Sequence, residues 1–144
     1  MTNATQLKFG YPRTLIKEYD HWCVLLRPHQ PTLGSLVLVC TEEKTAFSQI
    51  SQNAFSELKS VTTEIETGLA LFRSFEKINY LMLMMVDPDV HFHVLPRYSS
   101  VPSFNGDDFP DKGWPAAPDL SAGITLDNTL MPSLLLEIKR IWPA

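Results

Sequence analysis

The stretch Asp89-Val90-His91-Phe92-His93-Val94-Leu95-Pro96-Arg97-Tyr98 constrains this chain more than any other. Apolar and titratable residues alternate along it with a period of two. A helix would scatter such a pattern around its axis, whereas a β-strand sorts it, because successive strand side chains point to opposite faces. Val90, Phe92 and Val94 therefore share a face that belongs to a core. Asp89, His91 and His93 share the other. The chain must build a sheet with one side in its interior and with two imidazoles and a carboxylate in a row on the opposite side.

The remaining elements follow from local pattern. Residues 14–19 and 22–27 read as short strands around a turn at Asp20-His21, and 28–34 as a loop broken by two prolines and a glycine. Residues 35–41 form a continuous apolar run, as in a strand buried on both faces. Thr41 is expected to cap a short helix whose first turn carries Glu42 and Glu43. Phe55, Leu58, Val61, Ile65, Leu69 and Phe72 recur at three- and four-residue spacing, which predicts a long amphipathic helix capped by Ser51 or Asn53. Residues 77–85 are predicted to be a strand, returned by a tight turn at Val86-Asp87-Pro88 into its antiparallel neighbour 89–98. Residues 99–125 carry scattered aromatics among prolines and aspartates and read as a long ordered loop, with a lid over the site as one role for it. Pro132 suits the first turn of a last helix with Leu134, Leu135, Ile138, Ile141 and Trp142 on one face. Strands joined by short turns imply an antiparallel sheet with helices packed on one side, an α+β class.

The 144 residues are 44% hydrophobic, enough to bury one core, and a single domain over 1–144 is expected, with its centre at about 12–98. No apolar run is long enough to span a bilayer, and the first ten residues lack the apolar stretch of a secretory signal, so a cytoplasmic location and no membrane partner are expected. Sixteen acidic against twelve basic residues give a net charge of −4, which argues against sequence-independent nucleic-acid binding, since that needs a positive face. One or two local cations still suffice for a small anionic ligand. Cys23 and Cys40 sit in apolar stretches and read as reduced core thiols.

The string His91-Phe92-His93-Val94-Leu95-Pro96-Arg97 resembles the signature of the histidine triad (HIT) family, in which histidines alternate with apolar residues and a Pro-Arg often follows. The segment Gln30-Pro31-Thr32-Leu33-Gly34-Ser35-Leu36-Val37-Leu38-Val39 is similar to that family's proline/glycine loop leading into a central strand. The likeness runs from about Leu15 to Tyr98. It implies a five-stranded antiparallel sheet with a long helix packed on it, a homodimer, and a bound nucleotide or dinucleoside polyphosphate. It also implies cleavage at the α-phosphorus by a hydrolase or nucleotidyl transferase, without a cofactor. His91 stands at the position of the nucleophile that forms a covalent nucleotidyl intermediate, and His93 at the last triad position.

The chemistry is consistent with the residue types. A histidine nucleophile must present an unprotonated nitrogen to phosphorus while its other nitrogen donates to a fixed acceptor. His93 can donate to phosphate oxygens where charge accumulates. The sequence departs from the family at two places. Asp89 holds the first triad position, and a carboxylate about 5 Å from a phosphate costs on the order of 3 kcal/mol at an effective dielectric near 20. The turn before the triad has no glycine, serine or glutamine to grip phosphate. Asp89 is carried as a third catalytic candidate that modifies the site, turns away or orients a neighbour. Arg27, Ser35, Asn79 and Arg97 are the candidate ligand-binding residues, with Arg27 and Arg97 able to offset the Asp89 charge. Two alternatives stay open: a metal site shared by Asp89, His91 and His93, and a dimeric nucleotide-binding module without catalysis.

Overall fold

The computed structural model describes residues 2–143. In chain order the elements are α1 (Ala4–Lys8), β1 (Leu15–Glu18), β2 (Trp22–Leu26), β3 (His29–Gln30), β4 (Leu36–Cys40), α2 (Gln52–Phe72), β5 (Lys77–Leu81), β6 (His91–Arg97), β7 (Ser103–Phe104), β8 (Asp107–Asp108), β9 (Ile124–Thr125) and α3 (Leu130–Ile141). The predicted α+β architecture is present. Five strands form one antiparallel sheet in the order β1-β2-β4-β6-β5.

The period of two in β6 sorts its residues as the pattern demands. Val90 and Val94 are buried with Val24, Leu26, Leu36 and Leu38 beneath α2 and α3, which supply Val61, Ile65, Leu69, Leu134 and Ile138. Each fully buried leucine or isoleucine of this layer contributes about 1.5–3 kcal/mol. The Trp22 indole N–H donates to the Ala54 carbonyl at 2.8 Å, pinning the first turn of α2 to the sheet. Ser51 is the cap of α2, its hydroxyl accepting from the Ala54 N–H at 3.1 Å. A Cβ at Gly68 would lie 2.8 Å from the Trp142 ring, so this glycine is what lets the chain after α3 lie against α2.

Two local expectations are corrected. No α-helix follows Thr41; instead the Glu42 carboxylate accepts from the Ser51 N–H at 2.8 Å and from its hydroxyl, so the acidic residue buttresses the start of α2 from outside. The strand expected over 77–85 ends at Leu81, and a loop over 82–90 replaces the tight turn. The polar N-terminal segment, for which the sequence suggests no element, is also ordered. It folds into α1 and, through Phe9 and Tyr11, covers Cys23, Leu25, Val37 and Val39 on the sheet face opposite α2. The sheet is thus clothed on both sides, and β4 is buried on both faces as its apolar run demands.

Residues 99–125 are ordered by specific ties. The short hairpin β7–β8 buries Phe104, and β9 pairs with β3. Both nitrogens of the His29 ring are engaged by this segment, Nδ1 with the Thr125 hydroxyl and Nε2 with the Ala122 carbonyl, each at 2.8 Å.

Candidate functional site

His91 and His93 project from β6 onto the same face, as the alternation requires, and both line a pocket of about 270 Å³. Lys8, Phe9, Arg27, Asp87 and apolar side chains of the 82–90 loop complete its walls, with Leu120 reaching in from the 99–125 segment. The two imidazoles meet edge to face with centroids 5.2 Å apart. The Phe9 ring lies 6.2 Å from His91 and 5.8 Å from His93, leaving them 1% and 7% exposed. The sheet face that carries the two imidazoles is therefore walled by the chain's own N-terminal segment.

His91 Nδ1 lies 2.6 Å from the carbonyl oxygen of Asp89. A carbonyl only accepts, so Nδ1 carries the proton, and in the neutral ring the lone pair is on Nε2. This is the tautomer a phosphorus-directed nucleophile needs.

His93 is complementary. Its Nδ1 is buried without a partner among the described residues. A buried N–H without an acceptor costs more than a buried lone pair without a donor, so the proton belongs on Nε2. Burial, then the nearby Arg27 and His91, press the His93 pKa down to about 4. His93 is thus a neutral donor near pH 7. The site sets an acceptor nitrogen beside a donor nitrogen.

Arg27 extends the same face. β2 places Cys23 and Leu25 on the His91/His93 side, and Arg27 follows in alternation. Its Nη1 donates to the His29 carbonyl at 2.7 Å, whereas its buried Nε has no partner among the described residues. Burial lowers its pKa. Among the described residues no carboxylate pairs with it. The other pocket cation, Lys8, is neutralised by Asp87 at 2.8 Å.

Asp89 does not face the imidazoles with its carboxylate. Its Oδ2 accepts from the Thr5 N–H at 3.2 Å and from the Thr5 hydroxyl at 2.8 Å. The residue acts on the site only through its main chain, and the expected electrostatic penalty on a bound phosphate is correspondingly reduced. The shared metal site of Asp89, His91 and His93 is not formed. Its carboxylate is turned to α1, His91 Nδ1 is committed to a carbonyl, and among the described residues no three His, Cys, Asp or Glu side chains converge as ligands.

Three further ligand-binding candidates are corrected. Ser35 is fully buried, its hydroxyl donating to the Thr32 carbonyl at 2.7 Å, and it shapes the loop before β4. Arg97 forms a bidentate pair with Asp111 (2.7 and 3.0 Å) and donates to the Ala116 carbonyl at 2.9 Å. Asn79 spends its side-chain oxygen on Arg97 Nη1 at 2.8 Å. Both fasten the 99–125 segment instead of facing the pocket. Sequence reasoning missed Thr5, Lys8 and Phe9, which lie more than eighty residues from the triad strand. No periodic pattern in the first eleven residues announces them: α1 buries Thr5 and Gln6 and exposes Leu7.

No protein-family profile matches the chain, and no curated protein matches it by sequence. Solved structures do resemble it. A histidine triad protein of Bradyrhizobium japonicum superposes with a TM-score of 0.68 over 98% of each chain at 16% identity. One of Sinorhizobium meliloti gives 0.69 over 97% of this chain and 95% of that one, also at 16%. A hypothetical histidine triad nucleotide-binding protein of Sulfolobus tokodaii gives 0.65 over 89% and 82% at 15%. At such identities the likeness is one of fold, and it meets the strand order, the long helix and the C-terminal helix found here: this chain has the histidine triad fold.

Proposed function

We propose that the protein binds nucleotide-like phosphoesters and cleaves them at the α-phosphorus through a covalent nucleotidyl intermediate on His91. The observation that carries this reading is the 2.6 Å contact between His91 Nδ1 and the Asp89 carbonyl, which leaves Nε2 as the attacking atom. Nε2 forms the N–P bond as the P–O or P–N bond to the leaving group breaks. The His93 Nε2–H stabilises the phosphoryl oxygens, and water then attacks the adduct, returning His91 and releasing the nucleoside monophosphate. Dinucleoside polyphosphates and nucleoside phosphoramidates are the substrate class, and no cofactor enters this scheme.

The partner is a second copy of the chain. β5 ends the sheet as an edge strand, and the loop after it exposes Met85 and Val86 at 86% and 82%, surface that such a copy would cover. Among the described residues no helix is long and apolar enough to cross a membrane. Action in the cytoplasm agrees with two buried free thiols.

A second reading has one observation in its favour. Phe9 covers both rings, and His91 is only 1% exposed, as befits a nucleotide-binding module without turnover. Incubation with diadenosine tetraphosphate and adenosine 5′-phosphoramidate separates the two. Turnover abolished by His91→Ala, with the fold retained, supports catalysis. Binding without turnover, indifferent to His91→Ala, leaves the module.

A further inference from the structure

The pocket contains one charge that its own residues do not answer. Lys8 is matched by Asp87, and His93 is neutral near pH 7. Arg27 alone is a cation without a counterion among the described residues, and it is partly buried, with its Nε withdrawn from solvent. A guanidinium in such a place carries a desolvation cost that a well-placed anion offsets.

The geometry of its hydrogen bonds says which side of the group is unpaired. Nη1 is spent on the His29 carbonyl, which fixes the plane of the guanidinium. Nε is buried and unbonded, and Nη2 makes no hydrogen bond among the described residues. The Nε–Nη2 edge, with its two parallel N–H groups, is the side that grips a tetrahedral or planar oxyanion at two oxygens.

Sheet register then places the Arg27 backbone relative to the imidazoles, two strands away across β4. Val37 of β4 lies opposite both Leu25 of β2 and His93 of β6, while Val39 lies opposite His91. The Arg27 N–H bonds to the Ser35 carbonyl, extending the β2–β4 ladder by one step. On the pocket face the order along the strand direction is therefore His91, His93, Arg27. Arg27, His91 and His93 all line the one pocket.

We propose that Arg27 is a second anion subsite, so that the pocket selects ligands carrying two linked phosphates over those carrying one. This rests on the reading that the pocket takes a phosphoester, and it deepens that reading by assigning the substrate selection to one residue. One phosphoryl group sits at His91 and His93, and its neighbour in the same chain takes the Nε–Nη2 edge. The 82–90 loop has no glycine, serine or glutamine to hold phosphate, and Arg27 supplies that grip from the other side of the site.

Calorimetric titration of the full chain with inorganic pyrophosphate and with orthophosphate, free of divalent metal, tests this. Pyrophosphate is expected to bind at least tenfold more tightly to the wild type. Arg27→Gln should reduce the preference to threefold or less, and Arg27→Lys, which keeps charge without the fork, should fall between the two. Turnover of diadenosine tetraphosphate by the wild type is measured separately, so a failure of catalysis and a failure of this subsite are told apart. Equal affinity of the wild type for both anions overturns the proposal and needs no variant to do so. A preference that survives in folded Arg27→Gln or is unchanged in Arg27→Lys overturns it as well.

Discussion

The carboxylate of Asp89 accepts two hydrogen bonds from Thr5, one from its main-chain N–H at 3.2 Å and one from its hydroxyl at 2.8 Å. The same residue's carbonyl holds His91 Nδ1. One residue therefore joins the N-terminal segment, which walls the site, to the ring that faces the pocket. Asp89→Ala should cost about 2 kcal/mol, the range for charge-assisted hydrogen bonds in a half-buried place. Hydrogen exchange at the amides of residues 5–9 should accelerate more than at α2. Unchanged exchange there would show that α1 is held by other contacts alone.

His93 makes stability depend on acid. Its folded pKa is depressed to about 4 by burial first, then by the charges of Arg27 and His91, while an unfolded histidine titrates near 6.5. Between those values the unfolded chain holds a proton that the folded chain does not, so stability is full above pH 6.5 and falls as pH drops toward 4. The loss reaches about 3 kcal/mol at 1.36 kcal/mol per pKa unit. Denaturant midpoints at pH 7 and pH 4.5 should differ by more in the wild type than in His93→Gln. Equal pH slopes in the two proteins would contradict the assignment.

The Arg97–Asp111 pair is structural, and removing one partner leaves the other charged and buried. Side-chain exposure is 4% for Arg97 and 1% for Asp111. Asp111→Ala should destabilise the fold by about 3–5 kcal/mol. Limited proteolysis should then cut first within 99–125, because Asp111, with Ala116, is what Arg97 grips to hold that segment.

Cys23 and Cys40 are inert by position. Burial raises both thiol pKa values to about 11 and removes them from solvent. A maleimide at pH 7.5 should label neither in the native protein and both in denaturant, since the thiolate is the reactive form. Rapid native labelling of Cys23 would mean that α1 and Phe9 open far more readily than their contacts imply.

The parts of this molecule legible in the sequence were those written in a local period. The alternation at Val90, Phe92 and Val94 placed His91 and His93 on one face, and the stripe from Val61 to Phe72 placed α2 on the other. What the sequence hid were long-range polar ties, which leave no periodic trace. Asp89 meets Thr5 across 84 residues and Arg97 meets Asp111 across 14. In both, a residue read as facing ligand is bound by a partner that no spacing announces. Ser35 and Asn79 failed for the same reason: a polar residue beside a site is as easily claimed by the neighbouring main chain or by a buried arginine. Arg27 stayed in the pocket because its β2 strand continues the face on which the imidazoles stand.

The central claim is that His91 faces the pocket with a bare Nε2 because the Asp89 carbonyl holds the proton on Nδ1. Long-range nitrogen–proton correlation spectra of uniformly labelled protein at pH 8 read the two tautomers directly. The neutral His91 ring should show the Nδ1–H pattern and His93 the Nε2–H pattern. A neutral His91 protonated at Nε2 would leave no lone pair in the pocket and would contradict the account.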